Sequence, residues 1–517
     1  MSSKKPKYLD LLLKEFDNRK NFKKINDQCN PNSDPLFQDF RYGVICDAKE
    51  EFKKRNISNS KLLKWKILFS AIFPWDEQYE ILRQNVNKRF ILYPWVIAMC
   101  KNKRQVDKSF KNAIKYDIPI CLRGGAHSYE PYSLCDGMVI DQSRRTGIKI
   151  NKNSVTIEPG ALNGPTAYEL SKKGLAFPTG TCANVGICGL LLGGGLGFLG
   201  RKYGLTCDNL LEFNIIIANG KEIIVNEKNN SDLFWACKGA GGGNFGIITS
   251  LTLKTHQIKK VIILELNWNK ELLLNVLSTW LEWGPKSDVN LTTELNILAI
   301  NFSNKLPIQV TGVFIGKSIT KLKQIIEPLL KLNPIEIKIW KTTYIDSVRH
   351  FTYQKFPSPF FKNKSTYIIK QLPKEIASVI IKYMSLAGPN DRLEIDCLGG
   401  AYSSKKSNES AYVHRDALAW IQWINRWGGN SDNITQNPWE DLTKINEKLT
   451  WLYSFYNEFR KVGGDSLKGA YVNCLESELI NWPIDYYGNN LNRLIEIKKK
   501  WDINKIFNFP QGLSELF

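Results

Sequence analysis

The sequence predicts an α+β protein of two large domains. Its 517 residues exceed the roughly 250–300 at which a single hydrophobic core stops growing. From about residue 90, strand-like and helical runs alternate in β-α-β order, with a strand in Phe90–Cys100, helical spacing over Lys103–Tyr116 and a strand over Ile118–Leu122. From about residue 258, strands recur with helical runs between them, which favours an antiparallel sheet backed by helices.

Residues 1–70 form a polar, Lys- and Asn-rich extension with one or two helices. No apolar run of about 7–15 residues with a cleavage site follows the N-terminus, so we expect no secretory signal. The apolar runs are too short to span a membrane. We therefore expect a cytoplasmic protein, or one carried in a viral particle if the source is a large DNA virus. Eleven cysteines without CxxC spacing and only four histidines predict reduced thiols and no metal site.

The net charge of +21 raises the question of an anionic partner. The lysines are spread along the chain instead of forming one tract, and frequent Lys, Asn and Ile are typical of an AT-rich genome. We therefore expect nucleic-acid binding to be no part of the function.

The remaining elements follow in chain order. Asn219-Gly220 predicts a hairpin turn, and Pro159-Gly160 precedes a helix. In the first half we expect strands over 138–141, 154–158, 210–218, 222–225 and 247–253, with a helix over 166–173. In the second half we expect strands over 261–268, 293–302, 308–315 and 335–341, continuing through 392–401 and 412–415, and helices over 320–332, 439–460 and 490–500.

Residues 180–197 hold seven glycines in eighteen positions. Glycine allows positive φ and lets backbone N–H groups approach a ligand closely, so this stretch predicts a surface for a large flat or phosphorylated ligand. Cys182 begins the stretch, where backbone dipoles favour the reactive thiolate. His127 lies in a second glycine-bounded loop, where an imidazole can join a cofactor covalently or serve a structural role.

Six motifs in order resemble the berberine-bridge-enzyme-like FAD-linked oxidases, within the vanillyl-alcohol-oxidase or PCMH type of FAD domain. They are Arg123-Gly-Gly-Ala-His-Ser-Tyr-Glu130, Phe177-Pro-Thr-Gly-Thr-Cys-Ala-Asn-Val-Gly186, Leu192-Gly-Gly-Gly-Leu-Gly197, Arg201-Lys-Tyr-Gly-Leu-Thr-Cys-Asp-Asn-Leu210, Asp232-Leu-Phe-Trp235 and Gly241-Gly-Gly-Asn-Phe-Gly246. The resemblance implies a two-part FAD-binding domain over 71–257 and 470–517, with a substrate domain over 258–469 laid on the flavin.

The resemblance further implies FAD held by two covalent bonds, through His127 and Cys182. Residues expected to contact FAD besides these two are Arg123, Gly124, Gly125, Ser128, Gly180, Thr181, Val185, Gly186, Gly189, Gly193, Gly194, Gly195, Gly197, Gly246, Ile248, Tyr471 and Asn473. Ala126 stands where relatives usually carry glycine. The implied reaction takes hydride from a small-molecule alcohol, such as a carbohydrate or a secondary metabolite, and passes the electrons to O2, giving H2O2.

Such a reaction needs a base for the hydroxyl proton. Many relatives use a tyrosine at the end of a Tyr-x-Asn-Tyr run, assisted by the acid of an Asp-x-x-Gly-Gly run. This sequence keeps the acid as Asp396 but has Cys474 in place of the tyrosine. Cys474 as thiolate, Asp396 and Tyr129 are the candidate bases. Two alternatives remain: a dehydrogenase with another electron acceptor, and a basic binding or packaging protein whose flavin chemistry has lapsed.

Overall fold

The protein has the expected mixture of helices and sheets, in two halves that face each other across one large cavity. The computed structural model describes residues 35–302, 306–352, 360–428 and 441–517. The first 34 residues of the expected extension lie outside the described residues. Within the described part of the chain, no helix is long and apolar enough to cross a bilayer.

The described part of the N-terminal extension is helical and packs on the first half. Its helices are Pro35–Lys54 and Asn59–Phe69. Phe52 and Trp65 are buried in the same apolar cluster as the first sheet, and Trp65 Nε1 donates to Asn112 Oδ1 at 3.1 Å. The second helix and the end of the first are therefore part of a folded core.

The first sheet contains the predicted β-α-β unit. Its strands, in spatial order, are Ala71–Ile72, Val96–Met99, Met138–Asp141 and Ile120–Arg123, of which the last three run parallel. The crossover helix Lys103–Lys115 begins at Asn102, whose Oδ1 accepts the N–H of Gln105 at 3.0 Å. Ligands of such sheets bind beyond the carboxyl ends of the strands, and strand Ile120–Arg123 ends directly before the His127 loop.

The second sheet of this half is antiparallel. Its strands, in spatial order, are Ile148–Ile150, Ser154–Ile157, Ile247–Lys254, Leu210–Ile216 and Glu222–Asn226. Gly220 has φ +80° in the turn between the antiparallel strands Leu210–Ile216 and Glu222–Asn226, which confirms the Asn-Gly hairpin. Leu175–Ala176 also pairs with His256–Gln257. Around these sheets lie helices Tyr79–Leu82, Asn163–Ser171, Ile187–Leu192, Gly200–Tyr203 and Ser231–Ala236.

A large antiparallel sheet forms the second half, as predicted. In spatial order its strands are Glu336–Thr343, Lys260–Trp268, Ile308–Phe314, Leu291–Leu298, Arg392–Cys397, Ala419–Trp427, Phe360–Ile368 and Leu467–Lys468. The helices of this half are Leu273–Trp283, Ile319–Ile325, Glu327–Leu330, Tyr344–Thr352, Ile376–Met384 and Leu442–Gly463. The strand expected over residues 412–415 is wrong, because this segment is irregular. Strands Phe360–Ile368 and Ala419–Trp427 were not predicted.

The two faces of the large sheet differ sharply. Leu295, Ile395 and Trp423 point to one face and are buried against the helices. Glu294 and Asp396 point to the other face, which borders the cavity. This alternation gives the cavity a polar wall built on rigid strands.

The chain end returns to the first half through helices Trp482–Tyr487 and Leu491–Asp502. Lys498 is fully buried there. Its Nζ pairs with Asp502 at 2.6 Å and donates to the carbonyls of Asn244 and Phe507. Asn244 belongs to the motif Gly241-Gly-Gly-Asn-Phe-Gly246, which contributes to the cavity lining, so this network fixes the C-terminal helix against a loop of the cavity.

Candidate active site

The cavity has a volume of about 1090 Å³ and lies between the two halves. One wall consists of the glycine-rich loops of the first half, and we call it the loop wall. The opposite wall consists of the polar face of the large sheet, and we call it the sheet wall. The C-terminal segment Tyr471–Cys474 lines the cavity as well.

The predicted His127 loop is part of the loop wall. Gly125 lies so close to Gly186 that a Cβ on Gly125 would stand 2.4 Å from the Gly186 nitrogen, which explains the glycine. Ala126 has φ +53°, a left-handed conformation that glycine adopts more readily than a residue with a Cβ. Burial lowers the pKa of His127 to about 4, so its imidazole is neutral and able to act as a nucleophile near pH 7.

Cys182 also lines the cavity, and its carbonyl accepts a hydrogen bond from Asn163 Nδ2 at 3.0 Å. Burial, and secondarily the negative charge of Glu394, raise the pKa of its thiol. The expectation that backbone dipoles would favour a thiolate at this position is therefore wrong. The raised pKa favours the neutral thiol of Cys182 near pH 7.

Most of the predicted FAD contacts line the cavity, including the loop residues, Tyr471 and Asn473. The lining members are Arg123, Gly124, Gly125, His127, Ser128, Gly180, Thr181, Cys182, Val185, Gly186, Gly189, Gly246, Ile248, Tyr471 and Asn473. Arg123 is buried and forms an ion pair with Asp141, which holds the strand end in place. Whether these residues contact FAD stays a prediction.

Gly193, Gly194, Gly195 and Gly197 are not among the residues that line the cavity, and their contact with FAD stays a prediction. They allow close packing within the protein. A Cβ on Gly193 would stand 2.2 Å from Asn473 Oδ1, and one on Gly197 would stand 1.9 Å from the carbonyl oxygen of Thr179. The N–H of Gly195 donates to the hydroxyl of Tyr471 at 2.9 Å, and that of Gly197 donates to the Tyr402 hydroxyl at 3.1 Å.

The structure distinguishes among the three candidate bases. Cys474 Sγ donates to Gln422 Oε1 at 3.8 Å, and burial together with Glu394 and Asp396 holds its pKa well above the usual thiol value. Burial likewise raises the pKa of Tyr129, whose ring packs edge-on against Phe361 at 5.0 Å. Both groups are therefore neutral donors near pH 7, which argues against a Cys474 thiolate.

Asp396 lies on the sheet wall with two further carboxylates. It stands opposite Glu294 on the neighbouring strand, and Glu394 is two residues before it. One carboxylate oxygen of each residue lies within 4.8 Å of the others. Burial and the other two carboxylates raise the pKa of Asp396, and burial and Glu394 raise that of Glu294 to about 7. We call these three residues the carboxylate trio. Among the described residues, they form a cluster able to hold a cation.

Sequence reasoning missed the rest of the sheet wall. Residues that line the cavity from its strands include Glu294, Asn296, Gln309, Thr311, Arg392, Glu394, Trp420, Gln422 and Arg426. The available signal was a charged or amide residue at every second position of otherwise apolar strands, as in Arg392-Leu-Glu-Ile-Asp396.

A buried network of charges joins the two walls. Lys362 Nζ, on the large sheet, lies 3.5 Å from Glu130 and 3.6 Å from Glu476. Glu130 also pairs with Arg89 at 3.1 Å, and Glu476 pairs with Lys364 at 3.0 Å. Since Glu130 follows the His127 loop and Glu476 follows Cys474, this network fixes both segments against the large sheet.

The fold and the cavity define a two-part cofactor-binding enzyme with its active site between the halves. Family models support this class: an FAD binding domain matches residues 94–226, and a berberine and berberine-like domain matches residues 470–514. The FAD-linked oxidoreductase YgaK of Bacillus subtilis is 34% identical over 451 residues, covering 85% of this chain and 96% of the relative. The chain belongs to the berberine-bridge-enzyme-like family of FAD-linked oxidoreductases.

Further relatives agree with this membership. Chitooligosaccharide oxidase of Gibberella zeae is 26% identical and covers 91% of this chain and 97% of the relative. Among solved structures, Physcomitrella patens BBE-like 1 matches with a TM-score of 0.76 at 26% identity, covering 86% of this chain and 96% of that one. The protein is therefore an FAD-linked oxidoreductase of the PCMH-type fold.

The residues of the loop wall fit FAD. A Cβ on Gly189 would meet no atom within 4 Å, so the backbone there is open to a ligand. Arg123 Nη1 is buried and donates to no acceptor in the part of the chain that the structure describes, and a phosphate or carbonyl oxygen of a ligand would accept its hydrogen bond. The neutral imidazole of His127 and the thiol of Cys182 both line this cavity. Attachment of one flavin ring at two points requires that both nucleophiles reach the same cavity.

Proposed function

We propose that this protein oxidises an alcohol group of a carbohydrate, using FAD attached covalently at both His127 and Cys182, and that O2 is reduced to H2O2. The observation that carries this proposal is one cavity with both nucleophiles and a carboxylate cluster around Asp396. The relative named chitooligosaccharide oxidase supports both the substrate class and the acceptor.

The sheet wall supports a polyhydroxylated substrate. Amide and hydroxyl groups of Asn296, Gln309, Thr311 and Gln422 line the cavity together with charged side chains. Such groups donate and accept hydrogen bonds in fixed directions because they are mounted on strands. A largely apolar substrate would leave them without partners, which costs free energy.

Asp396 is the base in this proposal, and it takes the hydroxyl proton of the substrate. When bound, FAD supplies the acceptor for the hydride. The raised pKa of Asp396 makes its carboxylate a strong proton acceptor but limits the ionised fraction at low pH. Cys474 and Tyr129, as neutral donors, are suited to hold the substrate oxygen in place by hydrogen bonds.

Anaerobic mixing of the purified holoenzyme with xylotriose, with triacetylchitotriose and with coniferyl alcohol tests this function. We expect the oligosaccharides to bleach the visible flavin absorbance faster than the aromatic alcohol. Lack of bleaching by every alcohol would contradict the proposal.

A second mixing step tests the electron acceptor. We expect reduced enzyme to be reoxidised rapidly by air, with H2O2 detected by a peroxidase assay. Slow reoxidation in air with rapid reoxidation by a quinone would instead identify a dehydrogenase.

A further inference from the structure

The carboxylate trio has more negative charge than the oxidation step requires. A single ionised base suffices for one hydroxyl proton, and Asp396 supplies it. Glu294 and Glu394 bring two more carboxylates within 4.8 Å. Like charges at this distance repel each other unless a proton or a cation is present.

Asn296 provides an independent sign that a ligand binds here. It stands opposite Glu394 in the sheet, lines the cavity and is only 8% exposed. Its Nδ2 donates to Glu294 Oε1 at 2.5 Å, whereas its Oδ1 is buried and accepts no hydrogen bond from the described residues. The Asn296 Oδ1 and the three carboxylates are all hydrogen-bond acceptors, so a ligand that donates hydrogen bonds would satisfy them.

The neighbouring charges neutralise the trio only in part. Arg392 lies 2.6 Å from Glu394 Oε2, and Arg426 faces the cavity from the adjacent strand. The other charged groups of the sheet wall are paired among themselves. Glu265 contacts His350 at 2.6 Å, Glu336 contacts Lys338 at 3.4 Å, and Asp391 contacts Lys448 at 2.6 Å. The facing residues Tyr129, His127, Cys182 and Cys474 add no positive charge near pH 7.

The arrangement suits an ammonium group better than a metal ion. All four oxygen-bearing side chains project from one face of the sheet, so they surround a ligand from one side only. Ca²⁺ and Mg²⁺ need six or more oxygen ligands distributed around the ion, which four side chains on one side do not supply. An ammonium group needs three acceptors and can remain attached to a substrate that extends into the cavity.

We infer that Glu294, Glu394 and Asp396, together with Asn296 Oδ1, form a subsite for an ammonium group of the substrate. The alcohol oxidised by this protein is accordingly an amino alcohol, such as a sugar unit with a free amine. This inference rests on the proposed oxidation of a carbohydrate alcohol. On binding, the substrate's positive charge displaces the proton shared within the trio into solvent and leaves Asp396 ionised, ready to act as the base.

Calorimetric titration of the holoenzyme with chitosan trisaccharide and with triacetylchitotriose tests the subsite, since the two ligands differ only in acetylation. At pH 6.5 an amine with a pKa near 8 is protonated. We expect the free amine to bind roughly 10- to 100-fold more tightly, as charge-assisted hydrogen bonds allow. Its binding should also release protons, so the observed heat should depend on the ionisation enthalpy of the buffer.

Variants Glu294→Gln and Glu394→Gln should each reduce this preference to about threefold or less. Glu336→Gln, which removes a carboxylate paired with Lys338 elsewhere on the sheet wall, should retain the preference. Retention of flavin and an unchanged unfolding midpoint show that each variant is folded. Equal binding of both trisaccharides by the wild type, or a preference that survives in both trio variants, would overturn the inference.

Two further measurements separate the alternatives. Stoichiometric binding of CaCl2 that is lost in Glu294→Gln, with no preference for the amine, would overturn the inference in favour of a metal site. If triacetylchitotriose reduces the flavin but the amine preference is absent, the proposed function stands and the inference fails. If the preference is present but no alcohol reduces the flavin, the subsite stands and the proposed oxidation fails.

Discussion

The two walls of the cavity are built in opposite ways. On the loop wall, glycines such as Gly189 leave the backbone accessible to a ligand. The same wall contains the proposed nucleophiles His127 and Cys182. The sheet wall presents side chains, and its function depends on the charge of Glu294 and Asp396. Changes in shape should therefore be most damaging on the loop wall, whereas changes in charge should matter most on the sheet wall.

Removal of the Asp396 charge should produce the largest effect. Asp396→Asn keeps the size of the side chain, and we expect it to lower the rate of anaerobic flavin reduction by about 10²- to 10⁴-fold, the usual contribution of a general base. Cys474→Ser and Tyr129→Phe should be milder, because those groups are neutral donors. If Asp396→Asn stays within a few-fold of the wild type while Cys474→Ser is inactive, the assignment of the base is wrong.

Breaking the charge network between the walls should have the next largest effect. Lys362→Met removes the cation shared by Glu130 and Glu476, which keep Arg89 and Lys364 as partners, and we expect it to cost about 1–3 kcal/mol. Chemical denaturation measures the loss of the free energy of unfolding. The control is Lys382→Met, which breaks an exposed pair with Glu458 and should leave the free energy of unfolding nearly unchanged, because solvent screens exposed ion pairs. Similar losses in both variants would contradict the importance of the buried network.

Two glycines of the main stretch should respond differently to the same substitution. Gly193→Ala places a Cβ against Asn473, and we expect it to destabilise the protein by about 1–3 kcal/mol. Gly189→Ala meets no protein atom, so it should fold normally but retain less flavin. Thermal unfolding and the ratio of flavin to protein absorbance distinguish the two. Equal stability of both variants would contradict the packing role of Gly193.

The pH dependence of flavin reduction by a neutral alcohol should reflect the carboxylate trio. Because the base must be ionised, the rate should increase with pH, and the midpoint should lie above the usual carboxylate range because burial and the two neighbouring carboxylates raise the pKa of Asp396. Glu294→Gln removes one negative charge beside Asp396, lowers the pKa of Asp396 and should shift this increase to lower pH. A profile that is unchanged in Glu294→Gln would show that the two carboxylates titrate independently.

The smallest effect concerns Ala126. Its φ of +53° costs about 1–2 kcal/mol for a residue with a Cβ, and glycine would remove that cost while adding unfolded-state entropy. We expect Ala126→Gly to raise the free energy of unfolding by up to about 1 kcal/mol without changing flavin attachment. A loss of stability would show that the loop is not strained.

The loop wall was predictable from sequence to a much greater extent than the sheet wall. Close contact between the backbone and a ligand requires glycine, and covalent attachment requires His or Cys. The loop wall can therefore be recognised in the sequence from the types of its residues and their spacing. Glycine alone does not identify a ligand contact, because close packing within the protein, as at Gly193 and Gly197, requires glycine for the same steric reason. Glu294 and Asp396 are about a hundred residues apart, and only the pairing of their strands brings them together.

Mass spectrometry of peptic fragments from acid-precipitated protein tests the central proposal most directly. A yellow pellet, with flavin mass on a peptide that links the His127 and Cys182 segments, is the expected result. In His127→Ala and in Cys182→Ala the flavin should remain bound through the other residue, and only the double variant should release it. A colourless pellet with all flavin in the supernatant would contradict the proposal that this wall holds FAD covalently.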